Sequence, residues 1–262
     1  MKRLDVELVD RGLCDSRNKA QIMIRNKYVT VNGRVIDKSS FLVDENDNIS
    51  LESELKYVSK GGYKLDFALK KFDVSLKGKK YVDIGSSTGG FIDCLLQNGV
   101  KEVVGIDVGL NQLSPKLKGN KQIRLYEGTD FRDFDLSLIR DFNGATVDIS
   151  FISVTKIIDK LRESNIDDII VLIKPQFECG KDIADFYRGV ILDKKVHYDI
   201  LVNMIKEFEE KGFYLSNITY SPIRGGSGNI EYLGEFQRVR KNKTNSNLNK
   251  VINEAFNKSK HF

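Results

Sequence analysis

Cysteine, histidine and long apolar runs are all scarce in this chain of 262 residues. Its three cysteines, Cys14, Cys94 and Cys179, are scattered, so neither a disulfide framework nor a zinc knuckle is suggested. The two histidines, His197 and His261, have no ligand-spaced neighbour, and no metal site is expected. No apolar run approaches the ~20 residues that a membrane helix needs, and MKRLDVELVDRG lacks the apolar core of a signal peptide. These absences point to a reduced, cytoplasmic, metal-free protein. Hydrophobic residues at 40% and charged residues at 30% fit a globular chain with one large domain, or one of about 150–200 residues plus a small one.

Charge is unevenly placed. Residues 238–262 hold seven basic side chains and one acidic, and residues 2–38 hold nine Lys/Arg against five acids, whereas 39–60 are acidic. A charge run is commonly just a solvated face, so pattern has to decide. Leu4, Val6, Leu8 and Val9 supply the apolar positions of a short helix that Gly12 can end. Asp15 or Ser16 can cap a second helix with Ala20, Ile22, Met23 and Ile24 on its apolar side. YVTVNGRVI then reads as two strands around Asn32-Gly33, a strong hairpin signal. Arg3, Arg17, Lys19, Arg25, Lys27 and Arg34 are left as an exposed basic face. The Arg-Leu-Asp start, the Ser-Arg-x-x-Ala helix and the Val-x-Val-Asn-Gly hairpin resemble, in that order, an S4 RNA-binding domain. The resemblance implies that these six cations line RNA phosphates.

From residue 61 helices and strands alternate. The pattern predicts a helix at GYKLDFALKKF, a strand at KKYVDIG, and a helix at GGFIDCLLQNG that Gly99 stops. Strands follow at EVVGIDVG and QIRLY, then at ATVDIS and DIIVLIK, with helical stretches around these last two. HYDILVNMIKEFEEKGF is a long amphipathic helix, and GFYLSNITYS and NIEYLGEFQRV form a closing antiparallel hairpin. Such an order implies a mostly parallel sheet covered on both faces, the α/β layout of class I, Rossmann-like methyltransferases. The fold expected is a seven-stranded sheet with an antiparallel last strand, preceded by a small α+β domain. The expected organisation is a basic domain at 1–52, a linker at 53–60, the large domain at 61–240 and a basic extension at 241–262. In the extension, Ser246 or Asn247 can cap a helix with Leu248, Val251, Ile252, Ala255 and Phe256 on one face; it either packs on the domain or touches RNA.

The turn DIGSSTGGF follows the first strand of that sheet. A phosphate-binding loop would need G-x-x-x-x-G-K-[ST], and no lysine follows here. A dinucleotide fingerprint would need G-x-G-x-x-G, whereas this is G-x-x-x-G-G. Asp107 ends the next strand, 22 residues after Gly85, where a carboxylate can accept two ribose hydroxyls. Turn, acidic strand end and strand order together favour S-adenosylmethionine over NAD. The candidate cofactor-binding residues are Asp83, Gly85, Ser87, Thr88, Gly89, Gly90, Phe91, Asp107 and Asp130. The glycines could also merely permit a tight turn, and Asp107 merely cap the next segment.

The strand ends VDISFIS and IKPQFECGK face the same crevice in an open α/β sheet, which brings Asp148 and Lys174 together. YVSKGGYKL, DIGSSTGGF, DVGLNQL, DISFIS, IKPQFE and SPIRGGSGNIEY resemble, in order, the blocks of the TlyA (haemolysin A) family of ribosomal RNA 2′-O-methyltransferases. That catalytic domain is similar to the FtsJ-type ribose methyltransferases, whose Lys-Asp-Lys-Glu tetrad falls here on Lys64, Asp148, Lys174 and Glu231. The resemblance implies S-adenosylmethionine-dependent methylation of a ribose, a cytidine in the family, in ribosomal RNA, either naked or within a ribosomal subunit or assembly intermediate. No membrane and no obligate protein partner are implied. In this reading Lys174 takes the 2′-hydroxyl proton, Lys64 steadies the alkoxide, and a neighbouring lysine with partial burial brings the base's pKa down. Asp148 and Glu231 orient the lysines and the ribose. The chain departs from the family at LKYV, where some members carry Arg-x-Trp-Val, and in the glycine-poor stretch after the fifth strand.

Other readings are weaker. A cytosine-C5 methyltransferase needs a cysteine nucleophile at a strand end, and Cys179 lies five residues beyond Lys174. An amine methyltransferase wants an Asn/Asp-Pro-Pro-aromatic turn where this chain has Asp148-Ile-Ser-Phe. A pore-forming haemolysin has no membrane segment to work with. A non-catalytic S4-type RNA-binding or ribosome-assembly factor that retains cofactor binding is the main alternative, but it has no use for the tetrad.

Overall fold

A computed structural model describes residues 1–25, 28–51, 56–225, 227–240 and 247–259. The chain divides into two compact units, with the boundary between Lys56 and Tyr57.

The first unit is built from short elements. Strand β1 (Lys2–Arg3) leads into helix α1 (Leu4–Asp10), and α2 (Arg17–Arg25) follows. Gly12 adopts φ +69° after α1, and the Ser16 hydroxyl accepts from the Lys19 amide at 3.3 Å to open α2. Strands β2 (Val29–Val31) and β3 (Arg34–Val35) form the antiparallel hairpin, with Asn32 and Gly33 both at positive φ, as a two-residue turn requires. β4 (Leu42–Val43) pairs with β1, and β5 (Ile49–Leu51) with β2. Leu4, Leu8, Ala20, Met23, Ile24 and Val29 make its apolar core.

The second unit begins with helix α3 (Lys60–Phe72) and strand β6 (Lys80–Ile84), followed by α4 (Gly90–Gln97), β7 (Glu102–Asp107) and β8 (Ile123–Glu127). Next come β9 (Gly144–Val147), α5 (Ile158–Glu163), β10 (Asp168–Ile173), α6 (Pro175–Glu178), α7 (Lys181–Phe186) and α8 (Lys194–Glu210). β11 (Tyr214–Tyr220), β12 (Tyr232–Gln237) and α9 (Leu248–Lys258) close the unit. The seven strands lie in the order β11-β12-β10-β9-β6-β7-β8, and β12 alone runs antiparallel to its neighbours. Period-2 alternation sends Ile169, Val171 and Ile173 to one face and Ile170 and Leu172 to the other. Two features differ from the sequence expectation. No helix joins β7 to β8, and the link from β8 to β9 holds only short 3-10 turns, each capped by an aspartate (Asp130 and Asp135). Polar residues that bond their own backbone supplant a longer helix there.

In α9, Asn247 caps by accepting from the Lys250 amide, and Ile252 and Ala255 are buried in the main core. The helix therefore packs on the domain. Tyr57, in the stretch 53–60, is 1% exposed, and its hydroxyl donates to Asp66 at 2.9 Å. Beside it, Val58 N donates to Asp93 at 2.8 Å. These contacts press α3 against α4 so closely that a Cβ on Gly62 would lie 2.4 Å from Tyr57 and 2.9 Å from the Gly90 carbonyl. Gly62→Ala should accordingly lower the unfolding free energy by about 1–3 kcal/mol, the usual range for overpacking, as measured by chemical denaturation.

Candidate active site

Strand register assembles the centre of the site. The β10–β12 pairing ends at Ile173 opposite Tyr232, so Lys174 and Glu231 leave the sheet as neighbours. The β6–β9 pairing ends at Ile84 beside Val147, which sets Gly85 against Asp148. A Cβ on Gly85 would lie 2.7 Å from the Asp148 carbonyl, and φ of +85° adds a second reason for glycine. Lys64 arrives from α3 and is 7% exposed; Lys174 is 8% exposed.

Each buried ammonium meets a carboxylate. Lys174 Nζ lies 2.6 Å from Asp148 Oδ1 and donates to Ser150 Oγ at 2.8 Å. Lys64 Nζ is ion-paired with Glu231 Oε2. Burial pushes the Glu231 carboxyl above its usual range, Lys64 opposes that shift most strongly, and Asp148 and Lys174 also act on it. All four residues of the tetrad therefore converge. The nearest neighbour of each lysine is a carboxylate. Gly225 makes room for the pair: a Cβ there would lie 2.4 Å from Glu231 Oε1.

Beside this centre is a cavity of about 480 Å³ whose lining includes Gly85, Ser87, Asp107, Asp130, Asp148 and Phe151. The Asp107 carboxylate accepts from the Ser87 amide at 2.7 Å and the Gly109 amide at 2.6 Å, so it braces the turn while retaining lone pairs for a ligand. The Arg132 guanidinium beside Asp130 holds that carboxyl below the usual range. Three carboxylates on the wall (Asp107, Asp130 and Asp148) and a single arginine, itself paired, suit hydroxyl and amino groups better than a pyrophosphate. A smaller hollow of about 80 Å³ is lined by Thr88, Gly90, Phe91, Ser59 and Gly61, and it also reaches Asp148.

The remaining sequence candidates sit elsewhere. Asp83 lines neither space and is wholly buried; Thr146 donates to its Oδ1 at 2.7 Å, and Oδ2 has no partner among the described residues. Burial pushes its carboxyl up to about 7. Gly89 serves packing, since a Cβ would strike Leu117 at 2.5 Å and Leu113 at 2.7 Å. Among the basic candidates of the first unit, Arg3 and Arg17 are both held by Asp5, Lys19 pairs with Asp15, and Arg25 and Arg34 are exposed. Lys27 lies outside the described residues.

Sequence reasoning missed a row of contacts between the loop after β9 and α6. Besides Asp148 and Ser150 on Lys174, the Phe151 ring lies 5.5 Å from that of Phe177. Ser153 Oγ donates to Glu178 at 2.6 Å and Val154 N at 3.0 Å. Burial raises the Glu178 carboxyl. Phe151 is 89% exposed at φ +71°, a costly conformation for a bulky residue. DISF and PQFE were visible as motifs, but nothing in them signals an exposed aromatic or a carboxylate clamp.

Residues 57–238 match the FtsJ-like methyltransferase family and residues 2–49 the S4 domain. The chain belongs to the FtsJ-like methyltransferases. This methyltransferase is 43% identical over 240 residues to YqxC of Bacillus subtilis, covering 88% of this chain and 84% of the relative. It is 36% identical over 244 residues to the 23S rRNA (cytidine-2′-O)-methyltransferase TlyA of Campylobacter jejuni, covering 86% and 95%. A solved structure from Streptococcus thermophilus that carries the hemolysin name is 33% identical, with a TM-score of 0.75 over 98% of this chain and 96% of that one. No helix among the described residues is long and apolar enough to cross a membrane.

The state of Asp83 makes the stability of the methyltransferase depend on pH. An aspartate near 3.9 when unfolded and near 7 when folded binds more protons in the native state between those values. Its ionisation therefore erodes stability as pH rises from about 4 to about 7, and the loss is complete above that. Asp83→Asn should gain stability relative to the parent protein between pH 5 and pH 8, measured by denaturation at each pH.

Proposed function

We propose that this protein is an S-adenosylmethionine-dependent methyltransferase that modifies a ribose 2′-hydroxyl, a cytidine's, in ribosomal RNA, acting in the cytoplasm on RNA presented by a ribosomal subunit or assembly intermediate. The observation that carries the reading is the convergence of Lys64, Asp148, Lys174 and Glu231 beside a nucleoside-sized cavity walled by Asp107 and Asp130. The S4 domain supplies a second RNA contact through Arg3, Arg17, Lys19, Arg25, Lys27 and Arg34. The names of the relatives agree with this chemistry.

The cofactor supplies a methyl group on a sulfonium. Asp107 and Asp130 would hold its hydroxyl and amino groups, and the turn from Gly85 to Gly90 would take its remainder. A ribose hydroxyl is a poor nucleophile until it loses its proton. Lys174, as its neutral amine, takes that proton; Asp148 and Ser150 fix the direction of its lone pair. Lys64, held by Glu231, stabilises the alkoxide as it forms. Phe151 presents an apolar face on which the target nucleobase packs, which explains a strained aromatic left in solvent beside the reacting centre.

Incubation with labelled S-adenosylmethionine and ribosomal RNA should yield a label on ribose 2′-oxygen, read as resistance of the adjoining phosphodiester to alkali. Lys174→Ala should lower turnover by about 10²–10⁴-fold, the usual share of general-base catalysis, with cofactor affinity retained in calorimetry. Near-normal turnover would remove Lys174 from the role. Phe151→Ala should cost about 1–3 kcal/mol in kcat/KM for RNA, the range for a stacked base, measured in steady-state methylation assays.

A further inference from the structure

Asp5 accepts four side-chain hydrogen bonds among the described residues of the S4 domain, and it has no exposure to solvent. Arg3 donates to both of its oxygens, Nε to Oδ1 at 2.9 Å and Nη2 to Oδ2 at 3.1 Å. Arg17 Nε reaches Oδ2 at 2.9 Å, and Gln21 Nε2 reaches the same atom at 2.7 Å. The two arginine side chains nevertheless remain 44% and 55% exposed. Arg3 immediately precedes α1, Asp5 lies in its first turn, and Arg17 and Gln21 stand one turn apart on α2. One buried anion thus ties the starts of both helices together and holds two cations side by side at the surface.

We propose that Asp5 is a positioning residue that fuses Arg3 and Arg17 into one preorganised clamp for a phosphodiester of RNA. The proposal rests on the reading that this face binds RNA, and adds a device to it. Two free arginines would each lose rotamer freedom on meeting a phosphate and would repel one another beforehand. The shared carboxylate anchors each guanidinium through Nε and screens their repulsion. Arg17's two Nη groups and Arg3's Nη1 have no hydrogen-bond partner among the described residues, and these are the donors left for phosphate oxygens. Preorganisation of this kind raises affinity by removing the ordering cost from the binding step.

The sign of one substitution separates this role from simple electrostatics. Asp5 is negative and close to the RNA face, so through charge alone Asp5→Asn would tighten RNA binding. As the anchor of a clamp, its loss should weaken binding. The test uses the full chain and large-subunit ribosomal RNA transcribed in vitro, with filter binding across a potassium chloride series. Asp5→Asn should weaken binding about 5- to 20-fold and make the salt dependence shallower by about one phosphate contact. In an Arg3→Met/Arg17→Met background the same substitution should change neither quantity. Tighter or unchanged binding by Asp5→Asn, when the double methionine variant binds weakly, overturns the clamp. An equal further loss in the double methionine background also overturns it, because Asp5 would then act through the fold at large. If the double methionine variant binds RNA as the parent does, the RNA reading of this face fails and the clamp fails with it.

Discussion

Two lysines lie buried where the sheet ends, and an ammonium taken out of water is tolerable only beside a carboxylate. Much of the large domain's architecture meets that requirement. One carboxylate comes from the loop after β9 and the other from the residue before β12, which the final hairpin inserts antiparallel next to β10. The closing hairpin is thus more than a sheet edge: its register is what delivers Glu231 to the front of α3. Removing one partner of such a pair strands a buried charge, so the four residues stand or fall together as a unit.

A second constraint is room. Gly62 and Gly90 let α3 and α4 meet, Gly85 lets the turn touch the Asp148 backbone, and Gly225 leaves space for Glu231. Each removes a side chain where an acid or a backbone must pass, so the glycines shape the site, and Gly85 and Gly90 also line its cavities. Asp83 works from beneath. Its buried, half-satisfied carboxylate supports the strand end through Thr146 and carries a titration near neutrality into the floor of the site. The loop bearing Asp148 is then fixed along α6 by Lys174, Phe177 and Glu178 in turn.

What the sequence showed and what it hid have physical reasons. The Asn32-Gly33 hairpin and the stop at Gly99 were legible because they rest on local backbone preference. The sheet order was legible because apolar periodicity and the missing helix in the last hairpin restrict it. The four charged residues could be picked out by motif and are brought together by the strand register. The contacts of Asp5 and Glu178 were hidden because both are acids that sequence reading assigns to a solvated surface, and only tertiary structure shows Asp5 buried and Glu178 half-buried, each accepting from several donors. Phe151 was hidden for the opposite reason: a phenylalanine is expected inside. Asp83 and Gly89, grouped by motif with the ligand-binding candidates, are not among the residues lining either cavity.

The central claim is that the paired lysines perform ribose methylation on ribosomal RNA. Its most direct measure is a map of 2′-O-methylation across ribosomal RNA from cells with the gene, without it, and with the gene carrying Lys174→Ala. The account predicts that at least one ribose mark disappears in the second strain and stays absent in the third. An unchanged map in the deletion strain, or a mark fully restored by Lys174→Ala, would contradict it.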